Sequence, residues 1–357
     1  MVPASPGPSR SLRRPDRRLL GVALSAVVAA VLLVTLIGLD ASEHTASSAL
    51  AGGPAGPPRL GAARVVDLDD VGDPFILPVR AGTGGDPAAR YVLFWTTDWE
   101  SNVPTAVSAD LVHWRRIADA LPVLPSWASP LRTMTWAPSA LQVAGSWVLY
   151  FSTQERTSGK ECIGAAFARD PAGPYRDPAA SPLVCQRSLG GSIDPGVVRD
   201  GAGGLNLLWK SDGNAGRSPV GLWQQQLAAD GRSVTGRAHR LLVADQRWQH
   251  GIVEGPAMLA ASTGGWWLFY SANSWQSSTY NTGVAWCATV TGPCRATAAG
   301  PLLTSTPTAV SPGGLDTFTD SAGTLWATYS AFPDAPADKR AAMAMNRVLR
   351  IAPVLSH

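Results

Sequence analysis

Charged residues are scarce in this chain and make up only 15% of its 357 positions. Five arginines and one aspartate fall within residues 1–39, so the rest of the chain holds 24 basic residues (29 minus 5) and 25 acidic residues (26 minus 1). A body this close to neutral lacks the basic surface with which proteins bind nucleic acid. A glycine-rich nucleotide-binding motif is also absent, so the sequence predicts neither a nucleic-acid partner nor an organic cofactor.

Cysteine is also rare, with four residues in the chain. Cys287 and Cys294 enclose the short turn ATVTGP, while Cys162 and Cys185 bracket a longer loop. This arrangement predicts two local disulfides, which are typical of proteins exported from the cytoplasm. A zinc site is the alternative, but the chain has no CxxC pair and no histidine beside any cysteine.

The basic charge lies at the N-terminus, where it precedes a long uncharged run. Residues 1–18 carry the five arginines, and residues 19–39 have no charge and are long enough to span a bilayer. Flanking arginines hold an N-terminus in the cytoplasm, so we expect a membrane anchor or, if Ala49-Leu50-Ala51 is a cleavage site, a signal peptide. Both alternatives predict an extracellular or membrane-anchored body, residues 64–353, after a flexible linker, residues 40–63.

Apolar runs that contain aromatic residues recur through the body. Fourteen tryptophans, 36 glycines and 29 prolines already favour an all-β fold of short strands and many turns. The last residues of successive runs are 56, 58, 61 and 59 positions apart, and a β-sandwich does not repeat at this length. The sequence therefore predicts a five-bladed β-propeller. The runs are YVLFWT (91–96), WVLYFS (147–152), LNLLWK (205–210), WWLFYS (266–271) and LWATYS (325–330).

About 16 residues before the end of each run, or 23 in the first repeat, lies the segment expected to form the innermost strand of a blade. The residues at this position are Asp73, Trp136, Asp194, Glu254 and Gly314. Because innermost strands surround the axis of a propeller, we expect these positions to converge and to bring the three acids together. Their repulsion would raise the pKa of one carboxyl and leave another ionised, as glycosidic bond cleavage requires. The alternative is that each acid only caps a turn before a proline.

Several segments in this order resemble glycoside hydrolase family 43, the arabinanase, arabinofuranosidase and xylosidase group. The resemblance covers about residues 68–350 and rests on GDPFIL, SADLVHWR, TWAPSALQVAGSWVLYFS, SIDPGVVRDGAGG, VEGPAMLAASTGGWWLFYSAN and GLDTFTDSAGTLWATYSAF. It implies that Asp73 is the general base, that Glu254 is the general acid, that Asp194 tunes and orients that acid, and that the anomeric carbon is inverted. The family often has a histidine in blade five that helps to hold a central metal. This chain has Gly314 there, so no axial calcium is expected.

Aromatic side chains near the acids are candidates for stacking on sugar faces. Trp136 is the first of these, and Trp99, Trp248 and Trp275 are the others, while His250 is a further candidate for lining the pocket. The sequence thus predicts a monomeric inverting glycosidase that acts on arabinofuranosyl or xylosyl linkages in plant or bacterial cell-wall polysaccharide or its oligosaccharides. The alternative is a catalytically inactive propeller that binds glycan. The sequence leaves the sugar and exo or endo action open.

Overall fold

The chain divides into two units, residues 1–47 and 48–357, and the computed structural model describes residues of the second. The predicted basic tail and membrane or signal segment lie outside the described residues, as does the linker up to residue 55. In the part of the chain that is described, no helix is both long and apolar enough to cross a bilayer. The described ranges are 56–68, 70–98, 100–130, 134–214, 219–298, 300–333 and 346–356.

The described residues form twenty β-strands in five antiparallel sheets, which confirms the prediction of an all-β, five-bladed propeller. Blade one contains β3 (Phe75–Pro78), β4 (Tyr91–Phe94), β5 (Thr105–Ser108) and β6 (Trp114–Ile117). Blade two contains β7 (Thr135–Val143), β8 (Ser146–Gln154) and β9 (Glu161–Ala168). Blade three contains β10 (Ser192–Arg199), β11 (Leu205–Ser211), β12 (Gly221–Leu227) and β13 (Val234–Val243). Blade four contains β14 (Val253–Ala260), β15 (Trp266–Ala272), β16 (Asn281–Cys287) and β17 (Cys294–Ala296).

Blade five combines the two ends of the body. Its inner strands are β18 (Val310–Thr319), β19 (Leu325–Phe332) and β20 (Val348–Ser356). The strands β1 (Arg59–Leu60) and β2 (Arg64–Val66) both pair antiparallel with β20. β1 therefore lies within the segment 40–63 that the sequence predicted as a linker. The described helical segments are three 3-10 turns, η1 (Thr83–Gly85), η2 (Arg187–Leu189) and η3 (Arg247–Gln249).

The five aromatic runs all form the second strand of a blade, namely β4, β8, β11, β15 and β19. These strands are packed against a neighbouring blade on each face, so their residues are apolar without alternation, and every residue of β4 and β11 is buried. Five apolar clusters fill the spaces between successive blades, including the space between blades five and one. Burial of each large apolar side chain contributes about 1.5–3 kcal/mol, so this packing holds the blades in register around the axis.

Both predicted disulfides are confirmed. Cys287 and Cys294 face each other across β16 and β17, and Cys162 on β9 joins Cys185 in the loop that precedes β10. The described residues include no free cysteine, so the thiolates that a zinc site would need are not available.

Candidate active site

A local distortion recurs in the innermost strands of blades two to five and just before the innermost strand of blade one. Asp73, Ala137, Asp194, Gly255 and Gly314 have positive φ angles of 50°, 46°, 56°, 57° and 63°. In blades two to five the pairing register with the second strand shifts at this point. A β-bulge of this kind re-aims the neighbouring side chains, and aspartate and glycine tolerate the left-handed conformation better than most residues. The shared bulge therefore fixes where each blade presents a side chain near the axis.

The structure corrects the expected alignment of the three acids. Asp73 and Asp194 occupy the bulge position itself, but in blade four Gly255 takes that position and Glu254 precedes it. Glu254 pairs with Ser271, just as Trp136 pairs with Ser152 in blade two. Counting back about 16 residues missed this difference of one position. Glu254 therefore extends from the ordinary strand conformation, whereas the two aspartates extend from the left-handed turn.

Hydroxyl groups at the ends of three aromatic runs join a blade to the next one. Thr96 Oγ1 accepts a hydrogen bond from the backbone N–H of Ala137 at 3.0 Å, and Ser152 Oγ accepts one from Asp194 N–H at 3.0 Å. Ser271 Oγ accepts the corresponding bond from Gly314 N–H at 2.9 Å. The recurring serine or threonine thus orients the bulge of the following blade. Thr96 Oγ1 also donates to Asp73 Oδ2 at 2.7 Å, which fixes that carboxylate.

A cavity of about 470 Å³ contains all three candidate acids. Its polar lining includes Asp73, Asp194, Glu254, Lys210, Tyr280 and Arg347, and its apolar lining includes Trp136, Trp275, Met134 and Phe332. Aromatic faces beside a small number of convergent polar groups are characteristic of sugar-sized binding sites. A smaller cavity of about 40 Å³ is lined by the bulges of several blades and by Asp316.

The structure places some of the aromatic side chains predicted to bind sugar in this cavity and others outside it. Trp136 and Trp275 line the cavity of the three acids. Trp99 lies outside the described residues, and Trp248 is stacked on Tyr270, with ring centroids 6.1 Å apart. His250 does not line this cavity, which corrects the expectation drawn from its place four residues before Glu254. It follows η3 in a left-handed conformation with its side chain exposed.

Glu254 is held by two donors that the sequence analysis did not identify. Lys210 Nζ donates to Glu254 Oε2 at 2.7 Å, and Tyr280 Oη donates to Glu254 Oε1 at 2.8 Å. Lys210 ends the run LNLLWK, where the other four runs end in serine or threonine, and this exception was the available signal. Tyr280 lies in a loop before β16, and no repeat marks its position.

Asp194 is coupled to Glu254 through the backbone and through charge. Its Oδ2 accepts a hydrogen bond from the N–H of Gly255 at 2.9 Å, so the Asp194 side chain orients the strand that carries Glu254. Burial and the adjacent charge of Glu254 raise the pKa of Asp194 to about 8, against the opposing effect of Lys210.

Arg347 approaches the third acid from blade five. Its Nη1 lies 3.9 Å from Asp73 Oδ2 and its Nε lies 3.7 Å from Asp70 Oδ1. A Cβ atom at Gly72 would collide with the Arg347 guanidinium, so this close approach requires glycine. Burial is the largest effect on Asp70 and raises its pKa to about 6. The Arg347 guanidinium thus places one positive charge beside both Asp73 and Asp70.

The expectation about an axial calcium concerns the smaller cavity, which Asp73, Asp194 and Asp316 line together with the bulges. Burial raises the pKa of Asp316 to about 7, and Gly314 offers no side-chain ligand atom. Among the residues described, the metal-ligand cluster that does occur is Glu155 with Cys162 and Cys185, and those two cysteines form a disulfide. We therefore derive no catalytic step through a metal.

Comparison with known proteins adds a family assignment. The family model of the glycosyl hydrolases family 43 matches residues 72–355. An extracellular endo-alpha-(1->5)-L-arabinanase from Thermotoga petrophila is 28% identical over 142 residues, a match that covers 31% of this chain and 30% of that relative.

Solved structures share the fold at low sequence identity. A thermostable family-43 glycoside hydrolase has a TM-score of 0.67 and 21% identity, with 81% of this chain and 91% of that chain covered. The endo-arabinase from Bacteroides thetaiotaomicron has a TM-score of 0.64 and 18% identity, with 82% and 96% covered. The Cellvibrio cellulosa alpha-L-arabinanase, solved with arabinohexaose, has a TM-score of 0.59 and 22% identity, with 80% and 91% covered. Since the family model spans all three acids and the inner strand of every blade, this chain belongs to the glycosyl hydrolases family 43.

Proposed function

We propose that this protein is an inverting glycosidase that cleaves arabinofuranosyl or xylosyl linkages in cell-wall polysaccharide or its oligosaccharides. The observation that carries the proposal is the convergence of Asp73, Asp194 and Glu254 on one cavity, with separate donors to each acid. Membership of the family supports this substrate class, as do the arabinanase relative and a structural similarity to an endo-1,4-beta-xylanase from Bacteroides thetaiotaomicron (TM-score 0.63, 22% identity, 79% of this chain and 90% of that chain covered). The choice between the two sugars, and between exo and endo action, is a matter for product analysis.

In this proposal Asp73 activates the attacking water. Thr96 holds the Asp73 carboxylate and the Arg347 guanidinium lies beside it, so Asp73 is positioned to take a proton from water as the water oxygen attacks the anomeric carbon. Asp73 belongs to blade one and Glu254 to blade four, and these blades are not neighbours in the ring. Inverting enzymes keep their two carboxyls about 6.5–9.5 Å apart to admit that water.

Glu254 protonates the departing oxygen as the bond to the anomeric carbon breaks. Glu254 therefore loses a proton as Asp73 gains one. The water oxygen becomes bonded to the anomeric carbon on the face of the sugar opposite the departing oxygen. Asp194, on the neighbouring blade, orients the strand that carries Glu254 by accepting the hydrogen bond from Gly255 N–H. Trp136 and Trp275 provide the apolar surface against which the sugar stacks.

The test is the stereochemistry and identity of the product. Purified protein would be incubated with arabinan, xylan and arabinogalactan, and the first product would be followed by proton NMR before it mutarotates. We expect release from at least one pentose polymer with an inverted anomeric configuration. Retention of configuration would overturn the mechanism, and glycan binding without hydrolysis would favour the inactive glycan-binding alternative.

We also propose that the body works outside the cytoplasm. Two disulfides support an oxidising compartment, and the arginines before residues 19–39 support export with the N-terminus inside. Protease added to intact cells should remove the body from an anchored protein. A body that is protected until the cells are lysed would contradict this location.

A further inference from the structure

Lys210 interrupts a pattern that the other blades keep. The aromatic run of each of the other blades ends in a small hydroxyl residue, and Thr96, Ser152 and Ser271 use that hydroxyl to accept a hydrogen bond from the bulge amide of the next blade. Blade three has a lysine instead, and its side chain is only 1% exposed. Burial of a lysine is unfavourable unless its charge is compensated, so the exception calls for a role in the cavity.

The lysine is directed at the candidate acid. Lys210 Nζ donates to Glu254 Oε2 at 2.7 Å and lies 4.0 Å from Asp212 Oδ1. Burial opposes the charge of Lys210, but the carboxylates of Glu254 and Asp194 outweigh burial and raise its pKa. The side chain is therefore an ammonium ion over the whole range in which a glycosidase works.

We propose that Lys210 is a positioning residue that fixes Glu254 and strengthens it as an acid by stabilising the carboxylate that proton transfer leaves behind. This inference rests on the proposed function of Glu254. As the O–H bond of Glu254 breaks and the new O–H bond forms on the departing oxygen, negative charge develops between Lys210 Nζ and Tyr280 Oη. An ammonium ion interacts more strongly with the developing carboxylate than with the neutral acid, so it lowers the barrier to proton donation.

The same charge sets the pH range of the acid. Asp194 on β10 and Lys210 on β11 face Glu254. Asp212, which follows β11, and Tyr280, in the loop before β16, complete this group. Asp73 and Arg347 line the cavity from blades one and five. Tyr280 stays neutral, because burial and then the charge of Glu254 keep its pKa well above 10. Lys210 and Arg347 are thus the cations of this group.

Removal of the Lys210 charge should shift the pH–rate profile in a defined direction. Without the ammonium ion, the ionised form of the Asp194–Glu254 pair is less stable, so the pair keeps its proton to higher pH. The basic limb of the pH–rate profile should therefore move to higher pH, while proton donation becomes slower. Removal of the Asp212 charge should have the opposite effect, because the ammonium ion would then act on Glu254 without a competing carboxylate.

The experiment compares Lys210→Met, Lys210→Ser and Lys210→Arg with wild type. Lys210→Ser restores the residue type of the other blades, and Lys210→Arg keeps the charge. The pH profile of kcat/KM would be measured on the phenyl and 4-nitrophenyl glycosides of the sugar that the wild type cleaves. We expect Lys210→Met and Lys210→Ser to move the basic limb up by about one pH unit or more. In these two variants kcat/KM should fall roughly 10–100-fold on the phenyl glycoside and clearly less on the 4-nitrophenyl glycoside. Both effects should be largely absent in Lys210→Arg.

A structural role alone gives a different result. If Lys210→Met and Lys210→Ser lower activity on both glycosides equally and leave the basic limb in place, Lys210 only supports packing and the inference is wrong. Asp212→Asn provides a second test that does not depend on the folding of the lysine variants, and a basic limb that fails to move to lower pH in that variant also overturns it. Glu254→Gln separates the two proposals: full activity of this variant on the phenyl glycoside would refute the proposed function itself.

Discussion

Asp194 should lower the stability of the folded protein as the pH rises from about 4 to about 8, and Asp194→Asn should remove this loss. The asparagine has the same shape, and its side-chain oxygen can still accept the hydrogen bond from Gly255 N–H that Asp194 Oδ2 accepts at 2.9 Å. In the folded state burial and Glu254 raise the pKa of Asp194 from 3.8 to about 8. A group with a raised pKa contributes its stability below the unfolded pKa and loses it as the pH rises through the folded pKa. The loss attributable to Asp194 therefore falls between about pH 4 and pH 8.

The magnitude follows from proton linkage. One group that binds a proton in the folded state and not in the unfolded state changes the free energy of unfolding by about 1.4 kcal/mol per pH unit, or about 4 kcal/mol between pH 5 and pH 8. Lys210 opposes part of the shift in the pKa of Asp194, so we expect about half of this difference in the free energy of unfolding, or about 2 kcal/mol.

Urea unfolding of wild type and Asp194→Asn at pH 5 and pH 8, with disulfides intact, measures this difference directly. The variant should be more stable than wild type at pH 8 by about 2 kcal/mol more than at pH 5, while its activity falls. A stability difference that is the same at both pH values would refute the assigned burial and coupling of Asp194.

Three further predictions concern the disulfides, the cavity wall and the sugar platform. Cys162→Ser opens a loop of 23 residues and Cys287→Ser one of 7. Urea unfolding should therefore show the free energy of unfolding lowered by about 3 kcal/mol and about 2 kcal/mol, respectively, and equal decreases would count against the loop-entropy explanation. Gly72→Ala should displace the Arg347 guanidinium and lower kcat/KM by roughly tenfold or more, whereas Gly201→Ala, which meets no atom within 4 Å, should be neutral. Trp136→Ala should raise KM on oligosaccharides, because the sugar loses a stacking surface, and an unchanged KM would show that Trp136 does not bind the sugar.

The blades could be predicted from sequence because their central strands are buried on both faces. Such strands read as continuous apolar runs, and five runs at nearly constant spacing leave few alternatives to a propeller. The disulfides were equally predictable from the sequence, since each pair closes a short loop. The strands β1 and β2 were not, because they pair with β20 from the opposite end of the body. No local pattern in a Pro/Gly-rich segment marks such a distant partner.

The site was predicted in composition but not in detail. Asp73, Asp194 and Glu254 were identified from the repeat and do line one cavity, but the bulge at Gly255 shifts Glu254 by one position, and spacing alone did not reveal this. Lys210 was visible as an exception to the repeat, although its pairing with Glu254 depends on the packing of two blades. His250 was misplaced because a turn, not strand periodicity, determines its direction.

The central claim, that Glu254 is the acid and Asp73 the base, is tested most directly by the dependence of each variant on the leaving group. The ratio of kcat/KM on a natural oligosaccharide to that on the 4-nitrophenyl glycoside would be measured for Glu254→Ala, Asp73→Ala and wild type. Glu254→Ala should lose roughly 10²–10⁴-fold on the oligosaccharide and much less on the activated substrate, because 4-nitrophenolate departs without a proton. Asp73→Ala should lose both activities to a similar degree, since every turnover needs an activated water. Equal losses in Glu254→Ala together with a selectively spared aryl activity in Asp73→Ala would contradict the assignment.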